Sequence, residues 1–177
     1  MLENGKKWII LEINGKALIS MLSFCGYEKC SVDANGRVRL PSRFIEDFLK
    51  NGDGAIVMHG LPEGAIAIYP EQTYIKMREK ELEDVERIGA SFAARRSLRR
   101  FGALSQPDVI SRQGRVTLSE IFRSYASLEP GTEVRVIGVE IGVELWAAHK
   151  WEAEFEELKA YENQKRTREL DSFEDKL

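Results

Sequence analysis

The sequence predicts an α+β fold built from two copies of one unit, and two observations lead to that prediction. First, residues 33–44 (DANGRVRLPSRF) return 78 positions later as residues 111–122 (SRQGRVTLSEIF). Second, each copy alternates between an apolar period of two, typical of strands, and an apolar helical stripe. Two copies are too few for a solenoid, so the repeat indicates a duplicated small domain.

The first half of each unit predicts two strands and a short helix. Residues 24–32 are predicted to form a strand, and Asn35-Gly36 is a strong signal for a two-residue hairpin turn. Val38 and Leu40 alternate with arginines, so one face of the next strand is expected to be buried. A short helix follows, with an apolar stripe made of Phe44, Ile45, Phe48 and Leu49.

The second half of each unit predicts another hairpin and a long helix. In the first copy, strands are expected over 55–59 and 65–69, and one helix from about Glu71 to Arg100. The second copy repeats the pattern with a turn at Gln113-Gly114 and elements over 119–127, 132–138, 142–147 and from about His149 onward. Because a lone hairpin is marginal in water, we expect the strands of the two copies to interleave into one small barrel.

Composition and charge exclude several classes of protein. The chain has 177 residues, of which 43% are hydrophobic and 31% charged, as in ordinary globular domains. No apolar run approaches the roughly 18 residues of a membrane-spanning helix, so no membrane partner is expected. The net charge of −3 excludes a polycationic coat. Residues 150–177 carry six basic and nine acidic residues, so the remaining 149 are balanced at twenty of each.

The chain is expected to divide into five parts. Lys6 and Lys7 precede only a four-residue apolar run, and no signal-peptide cleavage site follows, so an extension outside the fold is favoured, with Met21 available as a start. Cys25 and Cys30 are interpreted as free thiols in a reducing cytosol. The predicted parts are an extension over 1–20, a first domain over 21–74, a linking helix over 75–101, a second domain over 102–148, and a C-terminal helix and charged tail over 149–177.

Nothing in the sequence predicts catalysis, a metal site or a cofactor. Histidine occurs only at His59 and His149, and phosphate loops, zinc-protease motifs and nucleophile elbows are absent from the sequence. Both histidines are therefore interpreted as structural. An enzyme ranks third among the functional hypotheses, because it would need titratable groups that converge on one of them.

Arginines are the more informative residues, and each group has two interpretations. Residues 95–100 (RRSLRR) could form a phosphate-binding patch or a solvated helix end. Arg37 and Arg115 each follow a turn glycine, which suits a two-stranded ribbon that enters a DNA groove. A salt bridge from Asp33 to Arg37 is the alternative. Further candidate DNA contacts are Arg39 and Arg112.

The segment FCGYEKCSVDANGRVRLPSRF, residues 24–44, resembles the N-terminal signature of the MraZ family, which has two SpoVT-AbrB-type domains. Asp33 and Arg37 match the family's D-x-x-x-R motif, and Gly36 and Gly114 occupy the repeated turn position. The second half resembles the second domain, and the similarity extends from Met21 to about residue 161. The second motif has Ser111 in place of aspartate, which leaves the orientation of Arg115 less defined.

The resemblance implies an AbrB-like swapped-hairpin barrel with flanking helices, assembled into homo-oligomeric rings. It implies a repressor, cytoplasmic and nucleoid-associated, that binds tandem promoter boxes of double-stranded DNA near division and cell-wall genes without a cofactor. The motif arginine is the DNA contact of the family, which corresponds to Arg37 and Arg115. The rival hypothesis is an antitoxin-type oligomeric interaction module without sequence-specific DNA binding. Phe155, Leu158 and Tyr161 keep helical spacing, which suits packing on a neighbouring subunit.

Overall fold

A computed structural model describes residues 23–50, 53–88, 91–110 and 112–174 of the chain. Its helices and strands confirm the α+β class. The first repeat consists of β1 (Cys25–Ser31), β2 (Arg37–Arg39), α1 (Ser42–Lys50), β3 (Ala55–Gly60), β4 (Ile66–Pro70) and α2 (Glu71–Ile88). The second consists of α3 (Phe92–Ala103), β5 (Ser105–Val109), β6 (Arg115–Thr117), α4 (Glu120–Ala126), β7 (Glu133–Val139), β8 (Val143–Ala147) and α5 (Ala148–Glu174).

The strands of the two repeats interleave, as predicted. A six-stranded antiparallel sheet has the order β1-β7-β8-β4-β3-β5, so the first strand of each repeat pairs with the third strand of the other. Tyr27 of β1 lies opposite Ile137, and Ser105 of β5 lies opposite His59. These two pairs are themselves related by the 78-residue shift. The fold is therefore pseudo-two-fold symmetric, with β4 and β8 at its centre.

The strand pairing of the described residues does not close a barrel. The six-stranded sheet has edges at β1 and β5, while β2 and β6 form a separate two-stranded sheet. In the described part of the chain, a single isolated bridge, between Val32 and Val38, links the first strand to the second. The expected hairpin of β1 with β2 does not continue beyond this bridge, because β2 pairs along its length with β6.

One apolar core lies between the two sheets and the short helices. Val38 and Val116, on the buried face of the two-stranded sheet, are 0% and 1% exposed. Phe44 of α1 and Phe122 of α4 belong to the same core and are equally buried. Burying each such side chain is worth about 1.5–3 kcal/mol, so residues from both repeats stabilise a single folding unit.

The single helix predicted from about Glu71 to Arg100 is wrong. Helix α2 ends at Ile88, and α3 is a separate helix that begins at Phe92. Ser91 is the N-cap of α3, and its side-chain oxygen accepts a hydrogen bond from the Ala94 amide at 3.1 Å. Serine at such a position satisfies a helix-end amide that would otherwise be unpaired, which favours a new start there.

Two other predictions involve residues outside the described ranges. These are the extension over 1–20, together with the start at Met21, and the side chain of Ser111. The division into five parts stays a prediction. Among the helices that the described ranges contain, none is long and apolar enough to cross a bilayer.

Candidate nucleic-acid interface

Arginines from both repeats meet on the two-stranded sheet of β2 and β6, here called the arginine ribbon. Its buried face carries Val38 and Val116, which lie opposite each other. Since side chains alternate across a strand, the neighbouring residues face outward. Arg39 lies opposite Arg115, and Arg37 opposite Thr117; all four residues are exposed. Sequence reasoning missed Thr117, although the period-two pattern places it on this face.

The turn before β2 is built by Asp33. The Asp33 amide donates to the Arg37 carbonyl at 2.8 Å, and the Gly36 amide donates to the Asp33 carbonyl at 3.0 Å. Gly36 has φ +72°, whereas Asn35 is not left-handed. The predicted position of the turn is thus confirmed, but its type is not. It is a four-residue turn over 33–36 in which only the last residue needs glycine.

The carboxylate of Asp33 binds main-chain amides. Its Oδ1 accepts from the amide of Asn35 at 2.8 Å and from that of Arg37 at 3.0 Å. The hydrogen bond from Arg37 is the largest influence that lowers the pKa of Asp33 below its ordinary value. Neither Arg37, Arg39 nor Arg115 forms an ion pair with a carboxylate of the described residues. The salt-bridge interpretation of Asp33 is therefore replaced by one in which it orders the turn and leaves the guanidinium groups to solvent.

Two glycines let the ribbon cross between the repeats. The Leu40 amide donates to the Gly114 carbonyl at 2.8 Å, and the Leu118 amide donates to the Gly36 carbonyl at 2.9 Å. A β-carbon at Gly36 would lie 2.6 Å from Nη1 of Arg123, and one at Gly114 would overlap the side chain of Ile45. Both glycines also have positive φ, so their conformation and their packing both fix the ribbon in place.

The other candidate arginines lie outside the two strands of the ribbon. Arg112 is exposed in the turn before β6. In α3, Arg95, Arg96 and Arg99 are exposed, but Arg100 points inward, where its Nη1 donates to the Gly60 carbonyl at 3.1 Å. The predicted cluster of four is therefore reduced to three solvent-facing arginines, one of which, Arg96, lies over the ring of Phe92.

His59 is structural, in line with the interpretation from sequence. Arg100 donates to its Nε2 at 2.9 Å, so Nδ1 carries the proton and donates to Ser105 Oγ at 2.8 Å. Burial, followed by the charge of Arg100, lowers the pKa of His59 to about 4, so the ring is neutral near pH 7. Tyr74 completes the network by donating to the same serine oxygen at 2.7 Å. His149 is exposed at the start of α5.

Comparison with known proteins agrees with the resemblance found in the sequence. The family model described as "MraZ protein, putative antitoxin-like" matches residues 110–173. The transcriptional regulator MraZ of Kineococcus radiotolerans is 34% identical over 76% of this chain and 88% of its own length. Those of Finegoldia magna and Desulforamulus reducens are each 32% identical, over 69% and 76% of this chain and 79% and 94% of their own lengths.

Proposed function

We propose a function on the premise that the chain belongs to the MraZ family, a family of transcriptional regulators and not of enzymes. The proposed function is sequence-specific binding of double-stranded DNA through the arginine ribbon. The observation that carries it is the meeting of Arg37, Arg39 and Arg115 on one exposed face, formed jointly by the two repeats. The proposal includes repression of division and cell-wall genes and a cytoplasmic, nucleoid-associated location.

The electrostatics of the ribbon favour an anionic ligand. Arg39 and Arg115 are direct cross-strand partners, and like charges in that arrangement destabilise a sheet. A phosphate between them would offset the repulsion, and guanidinium groups also bind phosphate and guanine through two parallel hydrogen bonds. A two-stranded ribbon is narrow enough to enter the major groove of DNA. Apolar packing on its inner face holds the arginines in a fixed spacing.

The number of arginines sets the expected strength of binding. One ribbon presents three of them, with Arg112 in the adjoining turn, so a single subunit neutralises only a few phosphates. Binding at low salt is therefore expected to be weak for one subunit. A homo-oligomeric ring that engages tandem promoter boxes would link several ribbons and raise the affinity by avidity.

The experiment compares Arg37→Ala and Arg115→Ala with Arg166→Ala, a matched loss of one exposed arginine on α5 far along the chain from the ribbon. Binding to the DNA upstream of the gene is measured over a range of salt concentrations. Each ribbon variant is expected to lose about 1–3 kcal/mol of binding and to reduce the salt slope by about one. Unchanged affinity and slope in a folded Arg37→Ala variant would overturn the proposal.

The family description "antitoxin-like" favours a second candidate function, an oligomeric module that binds another protein. The two candidates differ in a simple measurement. A stoichiometric complex with the product of a neighbouring gene, combined with no DNA shift even at low salt, would favour the interaction module. A DNA shift that depends on Arg37 would favour the regulator.

A further inference from the structure

We propose that Thr117 determines part of the sequence specificity of the arginine ribbon, by placing its methyl group against the C5-methyl of a thymine in the major groove. This role rests on the proposed function, because it requires the ribbon to bind DNA. Thr117 is exposed opposite Arg37 and is the one uncharged residue among the four on the outward face of the ribbon. A neutral side chain adds nothing to the charge that attracts phosphate, so its contribution to binding has to come from a short-range contact.

The hydrogen bonds of the ribbon hold Thr117 close to Arg37. The Leu118 amide donates to the Gly36 carbonyl at 2.9 Å, so the bond joins the residues that flank the pair and not the pair itself. Arg37 and Thr117 are therefore a non-hydrogen-bonded pair, in which the Cα atoms lie about 4.5 Å apart and the side chains are close. The methyl group and the guanidinium group face the same short stretch of DNA.

The major groove contains a matching apolar group. Thymine presents its C5-methyl there, and a threonine methyl is one of the groups that contact it, whereas arginine binds guanine. Successive base pairs are about 3.4 Å apart, so side chains as close as these face base pairs one or two steps apart. The thymine that Thr117 contacts is thus expected within about two base pairs of the base that Arg37 binds.

Thr117 also gives the ribbon a direction. The 78-residue shift relates Arg37 to Arg115, and Arg39 to Thr117. One end of the ribbon carries Arg37 with Thr117, and the other carries Arg115 with Arg39. A ribbon with two equivalent ends would favour a palindromic site, because the symmetry of a DNA site mirrors that of the protein. This ribbon is expected to favour a box whose two halves differ.

The test removes the methyl group from one partner at a time. Each thymine in the DNA upstream of the gene is replaced in turn by deoxyuridine, and the affinity of the wild-type chain, Thr117→Val and Thr117→Ser is measured. The valine variant keeps the methyl group without the hydroxyl, and the serine variant keeps the hydroxyl without the methyl. One replacement is expected to weaken binding of the wild-type chain and of Thr117→Val about fourfold, the effect of exposing one buried methyl group. The same replacement is expected to leave the affinity of Thr117→Ser unchanged.

Two results of this experiment would overturn the proposal: no thymine at which the wild-type chain is sensitive, or equal sensitivity in Thr117→Ser. Arg37→Ala, measured on the same DNA, distinguishes such a failure from a failure of the proposed function. If Arg37→Ala binds more weakly while the methyl groups show no coupling, only the role of Thr117 is wrong. If Arg37→Ala binds as the wild-type chain does, the proposed function itself is wrong.

A second measurement concerns the direction of the ribbon and uses selection from random DNA. The wild-type chain is expected to select a non-palindromic sequence. Thr117→Arg makes the two ends of the ribbon alike, so it is expected to select a palindrome at the base pairs that the ribbon contacts. Arg166→Ala, the control on α5, is expected to select the wild-type sequence. Identical sequences for the wild-type chain and Thr117→Arg would contradict the role of Thr117.

Discussion

The two repeats are nearly equivalent in their shared core and differ on the opposite face of the six-stranded sheet. Inside, Val38 and Val116, and Phe44 and Phe122, occupy matched positions in one core. On the sheet face that points away from this core, His59 of the first repeat, itself only 2% exposed, corresponds to Ile137 of the second. Because the strands of the two repeats interleave in one sheet, the interior of both repeats is constrained together. The opposite face of the sheet, in contrast, can acquire different contacts in each repeat.

The first prediction tests whether the interiors of the two repeats are equivalent, by comparing Gly138→Ala with Gly60→Ala. A β-carbon at Gly138 would overlap the main-chain carbonyl of Phe24, whereas one at Gly60 would lie 2.9 Å from the side chain of Leu104. Overpacking costs about 1–3 kcal/mol, and main chain gives way less than a side chain. In urea denaturation, Gly138→Ala is expected to lower the free energy of unfolding by about 3 kcal/mol or more, and Gly60→Ala by about half as much. Equal losses of stability would mean that the two glycine positions are packed equally tightly.

The second prediction concerns the buried His59 and the dependence of stability on pH. The folded-state pKa of His59, about 4, lies below its ordinary value of 6.5, so the unfolded chain binds the proton first as the pH falls. The stability contributed by His59 is therefore complete above pH 6.5 and is lost between pH 6.5 and 4. Relative to His59→Gln, the wild-type chain is expected to lose about 2–3 kcal/mol more between pH 7 and 4.5. Parallel pH profiles of the two proteins would show that this network does not titrate.

The third prediction separates stability from function on the ribbon. Arg39→Glu places an opposite charge beside Arg115, so the fold is expected to gain about 0.2–1 kcal/mol. DNA affinity is expected to fall more than tenfold, because a phosphate-facing cation becomes an anion. Thermal unfolding and DNA titration of the same preparation give both values. A loss of stability together with unchanged affinity would contradict the proposed role of this face.

The smallest effect is expected from the difference between Asp33 and Ser111 in the repeated motif. Asp33→Ala removes an acceptor for two main-chain amides, so it is expected to weaken DNA binding less than Arg37→Ala does. Because its pKa is lowered in the fold, the contribution of Asp33 to stability is lost as pH falls through that pKa. Ser111→Asp, measured in the same binding assay, is the converse change and is expected to raise affinity slightly. A larger loss for Asp33→Ala than for Arg37→Ala would assign the contact to the carboxylate.

Local patterns in the sequence predicted the elements well and their partners only in outline. The period-two alternation around Val38 placed β2, and the repeat led to the expectation of interleaving. Pairing of β2 with β6 instead of β1 depends on contacts 78 residues apart, which no local signal encodes. Likewise, the spacing of the four arginines in α3 places all of them on one side of the helix, so it could not reveal that Arg100 donates to the buried ring of His59.

Strand exchange also has a consequence for synthesis on the ribosome. Cys25 pairs with Val139, which is made 114 residues later, so at about 5–20 residues per second β1 waits roughly 6 to 23 seconds for its partner. The first repeat therefore cannot complete its sheet as it emerges. Folding is expected to begin only when nearly the whole chain has left the exit tunnel, and a nascent chain stalled before β7 would expose an unpaired strand to chaperones.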